Sequence, residues 1–152
     1  MPRIELEMLV RAPPAACYAL ALNVQAHLDS TQQTGERVVA GPPGGQLQLG
    51  DVVTWEARHF GFRQRLTVRI TAAIAPNHFR DELVKGAFRT LCHDHYFDVI
   101  PGGTRVRDVF VFTSPAGFLG RWFERRYLTR YLTQLLQTRN AVLKQRLEQA
   151  QL

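Results

Sequence analysis

The residues Phe62–Ile74 alternate between apolar and polar side chains over their whole length. The even positions are apolar except for Gln64, and the odd positions are polar apart from Ala73. Because successive side chains of a strand point to opposite faces, this pattern predicts a long strand with one buried face. Such a strand is typical of an antiparallel sheet that is covered on one side and solvated on the other.

The segments before and after this strand complete the predicted element order. Residues 3–11 alternate as a first strand, and Pro13-Pro14 favours the start of a helix. The pattern then predicts a short helix over Ala15–Val24, a second short helix or turn over Gln25–Gln33, and a strand over Gly35–Gly41. From Asp51 to Ser114 it predicts a meander of hairpins, with turn signals at Phe60-Gly61, Ala75–Asn77, Gly86-Ala87 and Pro101–Gly103.

A helix of about 30 residues is predicted after Pro115. Its apolar stripe comprises Leu128, Leu132, Leu135, Val142 and Leu143, widened by Tyr131, Leu136 and Leu147. The polar side opposite comprises Thr129, Thr133, Gln137, Asn140 and Lys144. An amphipathic helix must bury its stripe, so we expect it on the apolar face of the sheet, in an α+β fold.

Length and composition indicate the class of protein. The chain has 152 residues, which predicts one domain covering 1–152. Two widely spaced cysteines, Cys17 and Cys92, and the lack of a long apolar segment predict a soluble, cytoplasmic protein with reduced thiols. The net charge is +6, but the arginines are dispersed, so nucleic-acid binding is not favoured.

Two groups of charged residues have alternative interpretations. Glu56, Arg58, Arg63, Arg65 and Arg69 fall on the outward face, where cross-strand ion pairs are expected. At the start of the long helix, apolar residues are interleaved with arginines. The apolar residues are Phe118, Leu119, Trp122 and Phe123, and the arginines are Arg121, Arg125 and Arg126. Such residues either close the end of the core or contact a membrane surface, and closure of the core is favoured.

Hairpin geometry predicts which polar residues share the buried face, because directly paired residues point to the same side. The apolar faces coincide if His59 pairs with Phe62. The later turns suggest four more pairs: Ile74 with Phe79, Ile70 with Leu83, Leu91 with Leu83 and Val99 with Val106. This places Asp81 opposite His93 and Asp108 diagonal to His95. The polar residues that this register puts on the apolar face are His59, Gln64, Asp81, His93, His95 and Asp108.

Buried carboxylates and imidazoles are unfavourable unless they are paired. One interpretation is a structural network of hydrogen bonds within the core. Another is a cavity whose polar groups orient a ligand or transfer protons, since small-molecule sites combine apolar walls with a few polar groups. Two histidines and an aspartate also allow a metal site, which is less favoured. His27 and His78 are expected in loops or on the surface.

Several short motifs resemble the SRPBCC (START-like) superfamily. They are Val-Arg-Ala-Pro-Pro-Ala-Ala-Cys-Tyr at 10–18, Trp-Glu-Ala-Arg-His-Phe-Gly at 55–61, Asp81-Glu82, Gly86-Ala87-Phe88 and His93-Asp94-His95. Their order looks like the polyketide cyclase/dehydrase or lipid-transport-like subgroup. The resemblance implies a helix-grip fold: a seven-stranded antiparallel sheet wrapped around the C-terminal helix, two short helices after strand 1, and a ligand cavity between. It assigns no catalytic residue and no cofactor, and the oligomeric state, monomer or homodimer, stays open.

Three functions remain as hypotheses. The first is binding of an apolar or amphipathic small molecule, such as a lipid, isoprenoid, quinone or polyketide. Beside the polar cluster, the expected lining is Trp55, Leu66, Phe79, Phe97, Phe110, Leu128, Tyr131, Leu132 and Leu135. The second is a cyclase or dehydratase in which His93 is the general base, oriented by Asp81, and His95 or His59 polarises a carbonyl. The third is peripheral interaction with a membrane or nucleic acid.

Overall fold

The computed structural model describes residues 2–115 and 117–151. Its strands form one seven-stranded antiparallel sheet in the order β1-β7-β6-β5-β4-β3-β2. The strands are β1 (Arg3–Val10), β2 (Arg37–Ala40), β3 (Val52–His59), β4 (Phe62–Ile74), β5 (His78–Lys85), β6 (Thr90–Ile100) and β7 (Gly103–Thr113). The element order and the sheet confirm the predicted α+β helix-grip architecture.

Two short helices, α1 (Pro14–Ala21) and α2 (Val24–Ser30), follow β1, and a 3₁₀ turn lies at Gln32–Thr34. The C-terminal helix has three parts: α3 (Gly117–Phe123), a π-helical turn (Glu124–Leu128) and α4 (Thr129–Gln149). Pro14 suits the first turn of α1, because a proline has no N–H that the helix would need there. Among the described residues, no helix is both long and apolar enough to cross a membrane.

The β3–β4 hairpin has the predicted register. His59 pairs with Phe62, Ala57 with Gln64 and Trp55 with Leu66. Phe60 and Gly61 form its two-residue turn, with φ values of 54° and 78°. Positive φ at both turn positions matches the right-handed twist of the flanking strands, so the tight turn fixes the pairing.

The predicted pairing of β4 with β5 is wrong. Ile74 pairs with His78 instead of Phe79, and a bulge between Ile70 and Ala72 shifts the register again. Ile70 therefore pairs with Asp81 instead of Leu83. Because the bulge adds one residue to β4, the alternation reverses beyond it, and Ile74 is 64% exposed. Asp81 still lies on the covered face.

The predicted register of β6 with β7 is wrong by two residues. Ile100 pairs with Gly103 across a tight turn, so Phe97 pairs with Val106 and His95 with Asp108. Asp108 is thus directly opposite His95 and not diagonal to it. A shift of two preserves the face of every side chain, since the period of a strand is two. The predicted set of inward polar residues therefore survives the error.

The covered face of the sheet packs against α1, α2 and α4. On the α1 side, Tyr18 makes edge contacts with Phe79 and Phe97, at ring centroid distances of 5.7 and 5.6 Å. On the other side, Leu128, Leu132 and Leu136 pack beside a cluster of buried residues that includes Phe110 and Phe112. Asn140 was predicted on the polar side of the helix, but it is buried together with Leu143 and Leu147. Its amide faces a buried carboxylate, which an apolar residue would leave unsatisfied.

Candidate functional site

A pocket of about 230 Å³ lies between the sheet and the C-terminal helix. Strands β3 to β7 supply its floor, and α4 supplies its roof. Most of its wall is apolar and includes Trp55, Leu66, Ile70, Phe79, Leu91, Phe110, Leu128, Leu132, Leu135 and Leu136. The apolar positions converge because the inward residues of the strands face the leucine stripe of the helix.

Three titratable side chains, Asp81, His93 and His95, meet on the pocket wall. His95 Nε2 lies 2.8 Å from Asp81 Oδ1. The imidazoles of His93 and His95 stack with ring centroids 3.7 Å apart, because alternate residues of β6 share one face. Phe79 stacks on the other side of His95, at 4.0 Å. The two rings are therefore held in place by packing as well as by hydrogen bonds.

Asp108 lies behind this pair and connects it to the helix. Its Oδ1 accepts from His93 Nε2 at 2.8 Å and from Arg139 Nη2 at 3.0 Å, and it lies 3.3 Å from His95 Nδ1. Its Oδ2 accepts from Asn140 Nδ2 at 2.7 Å. A carboxylate with four donors around it is well compensated even though it is 1% exposed. We call Asp81, His93, His95, Asp108, Arg139 and Asn140 the inner network.

The carboxylates of the inner network are ionised. Burial acts to raise the pKa of Asp108, but Arg139 and the hydrogen bonds from the two histidines outweigh it and hold that pKa well below its usual range. Burial acts in the same direction on Asp81, whose pKa is nevertheless lowered by its hydrogen bond to His95 and by neighbouring positive charge. Two negative charges therefore lie at this end of the pocket.

The two histidines have opposite pKa shifts. Burial and the neighbouring charge of His95 lower the pKa of His93 to about 4, so its ring is neutral at pH 7. Burial also acts to lower the pKa of His95, but hydrogen bonds to Asp108 and Asp81 outweigh it and raise that pKa. Since Asp108 is ionised, Nε2 of His93 carries the proton, and Nδ1 is an acceptor. The pair thus combines a histidine whose protonated form the neighbouring carboxylates favour with a neutral acceptor.

The hydrogen bonds between the histidines and the aspartates differ from the predicted ones. Asp81 is the cross-strand neighbour of His93, as predicted, yet its side chain bonds His95, and His93 is oriented by Asp108 instead. Asp108 and Phe97 also do not line the pocket, whereas the other predicted site residues do. Phe97 is 1% exposed, because it packs between core aromatics, with ring centroid distances of 5.6 Å to Tyr18 and 6.0 Å to Phe79.

His59 and Gln64 lie at the outer end of the pocket. His59 Nδ1 is 2.7 Å from the hydroxyl of Tyr131, which joins the end of β3 to α4. Gln64 donates from Nε2 to the carbonyl oxygen of His59 at 3.2 Å. Burial lowers the pKa of His59, so its ring is neutral at pH 7. These residues connect the sheet to the helix at the end of the pocket that is away from the inner network.

The sequence analysis missed two residues of the site. His27 was expected in a loop or on the surface, but it stacks on Trp55 at 4.1 Å, bonds Glu36 at 2.7 Å and lines the pocket. Arg139 was not considered, although it is the cation that pairs with Asp108. The isolated arginine in an otherwise uncharged stretch of helix between Arg130 and Lys144 is the one signal that points to it.

The opposite face of the sheet carries a second group of charges. Glu56 accepts from Arg37 and Arg65 and lies 3.6 Å from Arg63, so the predicted cross-strand ion pairs form at Arg63 and Arg65. Within the described part of the chain, Arg58 and Arg69 of the predicted set have no such pair. On β6, Asp94 accepts from Arg80 and from His78, so His78 lies on the outer face of β5. We call these ion pairs around Glu56 and Asp94 the outer network.

A metal ion would have one candidate set of ligands among the described residues. One ligand atom each from Asp81, His93 and His95 lies within 4.8 Å of the others. Imidazole and carboxylate are suitable ligands for zinc or iron. However, His95 and Asp81 already satisfy each other, and Arg139 adds a positive charge nearby. A cation would have to replace the proton between His95 and Asp81, so the arrangement favours hydrogen bonding to a ligand.

Comparison with known proteins gives structural neighbours only. No protein-family model matches the sequence, and no curated protein shows significant similarity to it. Among solved structures, TTHA0849 from Thermus thermophilus has a TM-score of 0.80 at 19% identity, covering 98% of this chain and 99% of that chain. CV1439 from Chromobacterium violaceum has a TM-score of 0.74 at 14% identity, covering 97% and 99%.

A plant protein has the same architecture. The major latex-like protein 151 of Panax ginseng has a TM-score of 0.71 at 14% identity, covering 96% of this chain and 97% of that chain. At these identities, the likeness concerns the fold. The chain therefore has the helix-grip fold that the resemblance of its motifs implied.

Proposed function

We propose that the protein binds an apolar or amphipathic small molecule, such as a lipid, isoprenoid, quinone or polyketide, in the pocket between the sheet and α4. The observation that carries the proposal is the inner network, which presents oriented donors and an acceptor to an otherwise apolar pocket. Small-molecule sites combine these two features, the apolar wall for affinity and the few polar groups for orientation.

The size of the pocket narrows the ligand class. Its volume of about 230 Å³ is slightly below the roughly 300–1,000 Å³ of typical sites for drug-sized ligands. This favours a compact molecule, or one segment of a longer chain, over a complete phospholipid. Isoprenoid and aromatic polyketide skeletons have the required size and apolar character.

The charges of the inner network favour an uncharged head group. Asp108 pairs with Arg139, Asp81 favours the protonated form of His95, and His93 is neutral. A ligand carboxylate would add a buried negative charge without a partner, which is strongly unfavourable. A carbonyl or hydroxyl oxygen can accept from Arg139, and a hydroxyl can also donate to Nδ1 of His93, without changing the balance. The proposed ligand therefore ends in a neutral oxygen.

A matched pair of ligands tests this proposal. In a Trp122→Phe variant, Trp55 on the pocket wall is the one remaining tryptophan, so its fluorescence reports on occupancy. We expect farnesol to bind at least about tenfold more tightly than farnesoic acid at pH 7, because only the acid brings an uncompensated charge. Equal affinity for the two would contradict the neutral head group, and saturation by neither would contradict an isoprenoid ligand.

Native mass spectrometry of the freshly purified protein identifies the ligand class directly. We expect an apolar molecule of small mass to remain bound, and its mass to be lost from a Leu132→Trp variant that fills the pocket. A Val99→Trp variant is the matched control, since Val99 is 76% exposed on β6 and far from the pocket lining. Retention of the molecule by the Leu132→Trp variant would place it elsewhere.

Catalysis by the inner network, as a cyclase or dehydratase, is the second candidate function. The opposite pKa shifts of His93 and His95 are the observation that favours it, since such pairs divide acid and base roles. Here His95 would be the acid that polarises a carbonyl. His93, with a pKa of about 4, is a weak general base, and this favours binding over catalysis. In a catalyst, His93→Gln would lower the rate by about 10²–10⁴, whereas ligand affinity should change by at most about tenfold.

The proposed setting is the cytoplasm. Cys17 is buried and Cys92 is half-buried, and both are free thiols, as expected in a reducing compartment. Burial raises the pKa of each thiol, so neither is an activated nucleophile.

A further inference from the structure

Five large aromatic side chains are exposed at one end of the molecule. Phe60 and Phe62 flank the turn between β3 and β4, and they are 48% and 71% exposed. The start of the C-terminal helix adds Trp122 at 55%, Phe123 at 37% and Tyr127 at 51%. We call these five residues the aromatic rim. Side chains of this size are rarely exposed together in a monomeric protein without an interaction that uses them.

Ring contacts make the aromatic rim continuous. Phe60 lies 5.7 Å from Phe123, Phe123 lies 6.1 Å from Tyr127, and Tyr127 lies 5.6 Å from Trp122. Phe62 follows the same turn and pairs with His59. Phe60 also lines the pocket and contacts Tyr131 at 4.5 Å. The rim is thus a single surface beside the outer end of the pocket. The expected closure of the core by Trp122 and Phe123 is not observed, since both side chains are exposed. The side chains of Phe118 and Leu119 lie outside the described part of the structure.

The charge around the aromatic rim has one sign. Arg121, Arg125, Arg126 and Arg130 are all exposed. The one acidic residue from 117 to 131, Glu124, is buried and accepts from the backbone N–H of Ser114, so it does not offset them at the surface. Within residues 2–115 and 117–151, no carboxylate forms an ion pair with these four arginines.

Most arginines of the sheet differ in this respect, with Arg58 and Arg69 as the exceptions among the described residues. Arg37, Arg63 and Arg65 share Glu56, Arg80 pairs with Asp94, and Arg107 pairs with Asp98. Uncompensated arginines are therefore concentrated beside the exposed aromatic residues. A partner for this surface must present apolar contacts and negative charge together.

We propose that the aromatic rim and its four arginines dock the protein onto the surface of an anionic lipid bilayer. Phenylalanine and tryptophan enter the boundary between head groups and acyl chains, while arginines remain at the anionic head groups. Amphipathic rings at this depth are typical of membrane interfaces. Docking in this orientation places the outer end of the pocket, marked by Phe60 and Tyr131, against the lipid. The proposal does not depend on what the pocket holds.

Vesicle sedimentation with the full chain tests the docking. At about 0.05 M salt, we expect binding to phosphatidylcholine vesicles that contain about 30% phosphatidylglycerol, and little binding to phosphatidylcholine alone. An Arg125→Gln/Arg126→Gln double variant should lose roughly tenfold to thirtyfold in affinity, since each arginine contributes separately. The control is Arg105→Gln/Arg107→Gln, which removes the same charge from the paired arginines of β7. Equal losses in the two double variants would show that net charge alone is responsible and would overturn the proposal.

Fluorescence quenching tests separately whether the aromatic rim inserts into the bilayer. Brominated acyl chains should quench the fluorescence of Trp122 in vesicle-bound protein, and this quenching should disappear in Trp122→Phe while binding is retained. A Phe62→Ser/Trp122→Ser variant should bind at least about tenfold more weakly, because it removes apolar contact. Quenching that persists in Trp122→Phe would contradict insertion of the rim. Equally strong binding to single-stranded DNA, lost in the same arginine variant, would instead identify a general polyanion surface and overturn the lipid assignment.

Discussion

The inner and outer networks use the same kinds of side chain on opposite faces of the same strands. On β6, His93 and His95 point inward, while Asp94 between them points outward to His78 and Arg80. In the outer network, the side chains of the arginines around Glu56 are 62–66% exposed. In the inner network, the side chains of Asp108 and both histidines are at most 5% exposed. The carboxylates of both networks are buried, since Glu56 is only 5% exposed, so the two networks differ in whether their basic partners reach water.

This difference determines what each network can do. An exposed arginine can exchange its carboxylate for water, so an outer ion pair contributes little to stability. A buried carboxylate has no such replacement, and its partners determine the protonation state of each neighbour. The inner network is consequently rigid and has a defined charge at pH 7. These are the properties that a site for orienting a ligand needs.

Removal of the Asp108 carboxylate should have the largest effect on the stability of the fold. An Asp108→Ala variant leaves Arg139 buried without its carboxylate, so we expect a loss of about 3–5 kcal/mol in the free energy of unfolding. Urea denaturation followed by circular dichroism measures it. Asp108→Asn keeps the size and part of the hydrogen bonding, so it should lose less. A loss below about 1 kcal/mol in Asp108→Ala would mean that water reaches the inner network.

The pH dependence of stability should be the next largest effect. The pKa of His93 is about 4 in the folded protein and about 6.5 in an unfolded chain, so only the unfolded chain binds a proton between these values. Stability should therefore fall as the pH drops, by about 2 kcal/mol between pH 6.5 and 5. The contribution of His95 to stability has the opposite pH dependence. Its raised pKa stabilises the fold below about pH 6.5, and this stabilisation is lost as the pH rises through the pKa of His95 in the folded protein.

Variants separate these two contributions. Urea midpoints at several pH values should show that His93→Gln removes most of the loss between pH 6.5 and 5. A wild-type slope in His93→Gln would show that its ring is not the group that titrates.

The smallest effect is expected in the outer network. In Asp94→Asn, the carboxylate that pairs with Arg80 is lost, but the Arg80 side chain is 40% exposed and can be solvated instead. We expect a loss of about 1 kcal/mol or less, measured under the same conditions as Asp108→Ala. A loss as large as that of Asp108→Ala would remove the distinction between the two faces.

The sequence analysis predicted the faces of the sheet better than its contacts. The alternation of β4 and the Phe60-Gly61 turn were sufficient for the β3–β4 register, because a two-residue turn leaves no freedom. The loops after Ile74 and Ile100 have several allowed lengths, and the bulge near Thr71 has no signal in hydrophobic alternation. Errors of this kind preserve a face when the total shift is even, as for Asp81 and Asp108.

The helix side of the site could not be predicted in the same way. Whether Asn140 and Arg139 face Asp108 depends on how α4 rotates over the sheet, and an apolar stripe defines that rotation only approximately. His27 was missed for a related reason, because the packing of α2 against β3 brings it to Trp55. Side-chain pairing within one strand face follows from the period of two, whereas pairing between layers requires the tertiary structure.

The π-helical turn at Glu124–Leu128 has a consequence for the whole of α4. Thr129 donates its backbone N–H to the carbonyl of Glu124, five residues back, so this turn contains one residue more than an α-helical turn. In a regular α-helix, one extra residue would rotate everything downstream by about 100° about the helix axis. The widened turn absorbs that residue locally, because Thr129 still lies directly above Glu124. Deleting one position there would restore an ordinary α-helical turn and leave Arg139 and Asn140 on the carboxylate they hold, whereas a deletion further along α4 would turn both away from it.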